Sequence, residues 1–167
     1  MKKISVLAVL VLAASVFFAG SAFAQSSATA NATASIVNGL AITKTADLRF
    51  GNIIPSGSIG TVSVSTASAR SSSGGATPTS GKAYGAASFD VNGTGSLTYA
   101  ITLPGSISIS DGATHTMTVD TFVSSPDGAG TLNAGYQEIK VGGTIHVGIN
   151  QVVGDYTGTF DVSVAYN

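Results

Sequence analysis

The sequence predicts an all-β fold, an antiparallel β-sandwich, and three observations carry that expectation. Apolar residues recur at every second position in short runs. Clusters of Gly, Pro, Asn and Asp separate those runs, as tight turns require. No stretch beyond the first residues shows a convincing amphipathic helical period. An open barrel is the lesser alternative.

Residues 1–24 stand apart. Lys2 and Lys3 precede an apolar run from Ile4 to Phe18, and Ala22-Phe23-Ala24 closes it with an A-x-A cleavage pattern. This predicts a bacterial secretory signal peptide over 1–24 and a single domain over 25–167, exported through the periplasm to the cell surface or beyond. Nothing later approaches the roughly 18 apolar residues of a spanning helix, so no membrane span is expected in the mature chain. The absence of cysteine rules out disulfides and thiolate metal sites and leaves stability to apolar burial and sheet pairing. Charges are few and scattered, with no basic stripe to hold a phosphate backbone, which argues against nucleic acid as a partner.

Along the chain, Ala28, Ala30, Ala32, Ala34 and Ile36 alternate with Thr and Asn, which reads as a weak strand over 28–37. Asn38-Gly39 breaks it. Leu40, Ile42, Ala46, Leu48 and Phe50 continue a period of two, with Lys44 the one violation and Gly51 closing the run. Val62 and Val64 mark a further strand, and the Ser- and Gly-rich stretch 65–81 reads as a long surface loop. Phe89 and Val91 are expected to face Tyr99 and Leu97 across an Asn92–Gly95 hairpin loop. Ile107 and Ile109 should pair with Met117 and Val119 through an Asp111-Gly112 turn. A loop over 124–135 precedes Ile139, Val141, Ile145 and Val147, whose apolar register around Gly142-Gly143 predicts an irregular hairpin.

The last strand is the most regular. From Tyr156 to Tyr166 every second residue is apolar or Gly, placing Tyr156, Phe160, Val162, Val164 and Tyr166 on one face and Thr157, Thr159, Asp161 and Ser163 on the other. A strand at that position needs backbone partners, either within its own sheet or from another molecule.

Gly154-x-Tyr156-x-Gly158-x-Phe160-x-Val162-x-Val164-x-Tyr166 resembles the final strand of chaperone-usher pilins, with Tyr in the penultimate place. Leu40 to Gly51, with its Asp47-Leu48-x-Phe50-Gly51 core, resembles a secreted bacterial domain-of-unknown-function family (family 4402), itself similar to spore coat U proteins and pilins. The resemblance implies an immunoglobulin-like, pilin-like antiparallel β-sandwich lacking its last strand, whose groove is bordered by an acceptor strand containing Gly154, Tyr156, Phe160, Val162, Val164 and Tyr166. It also implies completion by an amino-terminal donor strand from a sister or related subunit, first guarded by a periplasmic chaperone and delivered at an outer-membrane usher. Residues 25–37 are the candidate donor extension, directing Ala28, Ala30, Ala32, Ala34 and Ile36 into the partner. The pilin cysteine pair is absent, and residues 28–37 serve equally as the first strand of their own sandwich.

Chemistry finds little footing. His115 and His146 sit in no metal-spacing cluster and read as hydrogen-bonded sheet or turn residues. Asp47, Asp111, Asp127 and Asp155 lie beside turns or strand starts, where Asp bonds nearby amides. No G-x-S-x-G elbow has a plausible Asp and His behind it, so no enzyme activity and no cofactor are expected. The expected function is a non-enzymatic structural subunit of a bacterial surface fibre, fimbria or coat. The alternative is a self-contained extracellular glycan-binding or adhesion module using the loops near Tyr84 and Tyr136.

Overall fold

The structure is a computed structural model that describes residues 25–167. The expected signal peptide lies outside the described residues. The chain divides into a unit ending at Ser35 and a compact unit from Ile36 to Asn167. Residues 25–35 are exposed and hold no strand, and the same is true of Ile36–Gly39. The strand expected over 28–37 is therefore not formed. Alanine removes little apolar surface from water, at about 25 cal/mol per Å², so such a segment has little to hold it in a strand without a partner.

Ten strands follow, every ladder antiparallel. They are β1 (Ala41–Ala46), β2 (Arg49–Val64), β3 (Arg70–Gly85), β4 (Ala87–Asn92) and β5 (Thr98–Thr102), then β6 (Ser106–Ser110), β7 (Thr116–Ser125), β8 (Ala129–Thr131), β9 (Tyr136–Val147) and β10 (Ser163–Tyr166). The larger sheet runs β1-β4-β9-β2-β3, with β7 also on β9 and β6 on β7; the smaller runs β10-β5-β8. The fold is an all-β, antiparallel, curled sandwich, and no helix occurs among the described residues.

β9 organises the large sheet. Val141 pairs with both Ala87 of β4 and Ser124 of β7, and Ile145 pairs with both Val62 of β2 and Val119 of β7. Hence β4 and β2 share one edge of β9 in succession while β7 lies along the other. The expected hairpin at Gly142-Gly143 is replaced by continuous strand. Gly142 is needed for close approach, since a side chain there would run into the Val64 carbonyl and the backbone at Ser65-Thr66. Turn and close packing select the same residue, which explains the difference.

The expected β6–β7 hairpin is present, with Ile107 opposite Val119 and Ile109 opposite Met117. By contrast, β4 and β5 do not pair: β4 lies between β1 and β9, and β5 between β10 and β8. The chain arches from one sheet to the other over Gly93–Leu97, so Phe89 and Tyr99 share one core cluster instead of one ladder. Alternation fixes which face is buried, and either arrangement buries it. The expected loop 65–81 is mostly strand, because β3 pairs its Ser, Thr and Gly residues with β2 from Arg70 onward. Likewise the 124–135 loop contains β8.

β2 bends sharply. Its pairing with β3 skips from Pro55–Ala76 to Gly60–Gly74, and a side chain at Gly60 would strike Ala76. Only Gly60–Val64 pairs with β9; Arg49–Pro55 has a ladder to β3 alone.

Two apolar clusters fill the interior. Val91, Tyr99, Leu132, Ile139 and Val141 anchor one, and Val62, Val119, Ile145 and Val147 the other. Tyr99 keeps its hydroxyl satisfied by donating to Gln137 Oε1 at 2.7 Å, and burial pushes its pKa up. Ile139 is 0% exposed, and its truncation to Ala should cost about 3 kcal/mol of unfolding free energy in a urea titration. A loss below about 1 kcal/mol would mean that β9 is not central to the core.

Candidate functional site

The stretch preceding β10 crosses the sandwich almost without a ladder. Thr157 and Ser110 exchange backbone hydrogen bonds of 2.8 and 2.9 Å in an isolated bridge, and Gly158–Val162 belongs to no strand. The expected strand over 154–167 is thus regular only at Ser163–Tyr166, paired with β5. Its alternation is nevertheless expressed in burial. Tyr156, Phe160, Val162, Val164 and Tyr166 are half-buried, and Thr157, Thr159, Asp161, Ser163 and Asn167 are exposed.

Phe160 explains why the segment stays down without a ladder. Its ring lies 5.0 Å from that of Phe122 on β7 and meets Phe89 of β4 edge-on at 6.3 Å. Gly158 passes so close to β6 that a Cβ would stand 2.8 Å from Ile109 Cγ2. Gly154 is under no such constraint, because its nearest contact would be an ordinary 3.5 Å to Asp111.

Beneath this segment opens a groove of about 1260 Å³. One wall is Gln151–Phe160 and the other includes Arg49–Pro55, while Phe89, Val119, Ile145 and Val147 reach it from the core. Protein interiors pack like organic crystals, with few voids larger than a water molecule. A groove of this size against core side chains is a place where the sandwich is unfinished. Both walls carry backbone without a full set of partners: Arg49–Pro55 pairs only with β3, and Gln151–Phe160 lies in no strand and makes one bridge to β6.

The groove's charged residues are matched with one another. Lys44 Nζ lies 2.6 Å and Arg49 Nη2 3.4 Å from Asp47, and Lys82 of β3 pairs with Asp155 from wall to wall. The Lys44 hydrogen bond and charge, helped by Arg49, hold the Asp47 carboxyl below the usual carboxylate range. These groups are solvent-exposed, so they contribute little stability. Lys44, which broke the alternation of β1, sits opposite Phe89 just before a β-bulge, where the inner face opens into the groove.

At the far end of β10, Tyr166 ties together segments distant in sequence. Its hydroxyl accepts from the Thr94 amide at 2.8 Å and donates to the Asn38 carbonyl at 3.1 Å, while the Asn38 amide donates to Thr94 Oγ1 at 2.8 Å. The penultimate tyrosine therefore pins the root of the amino-terminal segment to the end of the final strand. Of the residues expected in the donor segment, Ala28, Ala30, Ala32 and Ala34 are exposed, and Ile36 is 98% exposed.

The other titratable groups are structural in their contacts. His115 Nδ1 lies 2.6 Å from Asp111 and His146 Nε2 2.9 Å from Asp120, the latter pair bridging β7 and β9. Asp111 also accepts from the Ala113 amide at 2.8 Å, the Asp-to-backbone bond expected of a turn. Asp47 and Asp155 instead pair with cations. No group of three His, Cys, Asp or Glu is placed to hold a metal among the described residues. Tyr84 and Tyr136, the candidates for a sugar platform, are both engaged: the Arg70 guanidinium covers the Tyr84 ring at 4.1 Å, and the Tyr136 hydroxyl donates to Asp90 at 2.8 Å. Sequence reasoning did not single out Arg49–Pro55 or Lys82 as part of a site. Lys44, a charge at an otherwise apolar position of the alternation, was the one local signal pointing there.

The described residues thus define an antiparallel β-sandwich with one unfilled seam, and they contain no helix long and apolar enough to cross a membrane. The model of a family described as a domain of unknown function (DUF4402) matches residues 40–166, and the chain belongs to that family. No curated protein and no solved structure matches the chain.

Two outcomes check this geometry. Tyr166→Phe keeps the ring but strips the Thr94 amide of its acceptor, and should cost about 1–2 kcal/mol in chemical denaturation; an unchanged midpoint would show the clasp to be idle. The Ala113 amide first, then His115, lower the Asp111 pKa. Its contribution is therefore intact above the unfolded value of about 3.9 and is lost as pH falls through the lowered folded one. Asp111→Asn should reduce the drop in melting temperature between about pH 5 and about pH 2; equal drops in both proteins would assign the effect to other carboxylates.

Proposed function

We propose that the protein is a non-enzymatic, exported structural subunit of a bacterial surface fibre, fimbria or coat that assembles by β-strand complementation. One observation carries this reading: the groove beside Phe160 reaches core side chains between Arg49–Pro55, which has a ladder on one side only, and Gln151–Phe160, whose backbone makes a single bridge to β6. A strand laid there would gain backbone partners and cover apolar surface together. Residues 25–37 of another copy suit it in chemistry. They carry no charged side chain, and the groove's own charges are already matched, so insertion strands no ion in a place with poor access to water. The resemblance of the carboxy-terminal pattern to the final strand of chaperone-usher pilins supports the same function. A periplasmic chaperone and an outer-membrane usher are the partners such assembly calls for.

Because Ala30 and Ala34 are exposed, replacing both with Asp should leave the folded protomer intact, with an unchanged circular dichroism spectrum. Assembly should nonetheless be abolished, because each inserted strand would bury two unpaired carboxylates. Sedimentation and negative-stain microscopy of the exported protein provide the measurement. A parent chain that stays monomeric at high concentration, or a double variant that assembles as well as the parent, excludes strand donation.

A further inference from the structure

The chain contains two Asn-Gly pairs, and each follows a valine: Val37-Asn38-Gly39 and Val91-Asn92-Gly93. Asparagine is a chemically labile residue, and a following glycine exposes it most, because the glycine nitrogen has no side chain beside it to hinder approach to the asparagine side chain. The two tripeptides are identical, so the fold decides which of them reacts.

The fold treats them differently. Asn92 ends β4 and is paired on both sides, with Ala41 of β1 and Tyr136 of β9. The Gly93 amide donates to the Gly135 carbonyl at 2.8 Å, and a Cβ on Gly93 would strike the Tyr166 hydroxyl, Leu132 and Leu40. That nitrogen is bonded and walled in. Asn38 and Gly39, by contrast, are exposed and belong to no strand. The Gly39 amide makes no backbone hydrogen bond among the described residues, and a Cβ built there meets no atom within 4 Å.

We propose that Asn38-Gly39 is a self-modifying site that converts to isoaspartate in the folded protein, with water as the co-reactant, while Asn92-Gly93 is protected. The Gly39 nitrogen attacks Cγ of Asn38. The N–Cγ bond forms as the Cγ–Nδ2 bond breaks, and Nδ2 leaves as ammonia, taking up the proton that the Gly39 nitrogen gives up. Water then opens the cyclic imide. Opening at the Cγ–N bond gives aspartate, and opening at the bond to the backbone carbonyl carbon gives isoaspartate, whose main chain runs through Cβ and Cγ. Either product adds a negative charge. Isoaspartate also lengthens the main chain by a methylene between the clasp and β1, and turns the Asn38 carbonyl that accepts from Tyr166 into a free carboxylate. The clasp is thereby loosened where the amino-terminal segment joins the compact unit.

Full-length exported protein, incubated at neutral pH and mapped by peptide mass and isoaspartyl methyltransferase labelling, should convert at Asn38 about tenfold faster or more than at Asn92. Asn92 lags because its ladder and the Gly93 hydrogen bond must open first. In urea the identical tripeptides should react at similar rates. Conversion at Asn92 that keeps pace in the folded protein overturns the proposal, and so does a gap that persists in urea, which would place its cause in the neighbouring sequence. Gly39 is not among the glycines with positive φ, so Gly39→Ala should leave the melting temperature within about a degree and slow conversion at Asn38 by about tenfold or more; an unchanged rate counts against attack by that nitrogen. The Asn38 amide donates to Thr94 Oγ1 at 2.8 Å, and its hydrogen exchange should be several-fold faster in the isolated isoaspartate form. Equal protection in both forms overturns the loosening of the clasp.

Discussion

Pairing along both edges of β9 is the constraint on which the rest of the structure depends. One edge is shared in succession by β4 and β2 and the other is taken by β7, so this single strand supplies Ile139 and Val141 to one core cluster and Ile145 and Val147 to the other. Such sharing requires β4 to give way to β2 with the Val64–Thr66 backbone pressed against β9, and the missing side chain of Gly142 makes the space. The chain has no disulfide to hold the layers. Apolar contact and ladder bonds anchored on this strand do so instead.

Where β9 is saturated, the strands and segments around the groove are not. The bend of β2 at Ser56–Gly60 removes its first half from the ladder with β9. The segment before β10 is held mainly by the Phe89–Phe160–Phe122 ring contacts and one bridge to β6. Side-chain packing thus fixes the segment's position without using up its backbone groups. A seam arises because apolar anchoring and ladder formation, which coincide elsewhere in the sandwich, are separated here. Strand complementation would reunite them.

Much of this was legible in sequence wherever the signal was local. The half-buried alternation of Tyr156, Phe160, Val162, Val164 and Tyr166 followed from a period of two, and the β6–β7 hairpin followed from two apolar runs flanking the Asp111-Gly112 turn. Longer-range features were less accessible. Phe89 and Tyr99 do share a buried face, but periodicity does not say whether two such runs pair in one sheet or oppose each other in two. Gly142-Gly143 resembled a turn because glycine serves tight turns and tight packing alike. Residues 70–81 carried no apolar rhythm, yet a ladder to β2 makes them strand. The second wall of the groove depends on a bend whose partners lie some distance along the chain, and nothing adjacent to Arg49–Pro55 announces it.

The clasp at Tyr166 has a mechanical consequence. A pull applied to the amino-terminal segment reaches the compact unit at Asn38, which is bonded to Tyr166 at the tip of β10 and to Thr94 in the arch before β5, as well as leading covalently into β1. Load is therefore divided between the two sheets at its point of entry instead of peeling β1 from β4 one residue at a time. If the protein assembles as proposed, the strength of the fibre under flow would depend on one phenolic hydroxyl as well as on the fit of the strand in its groove.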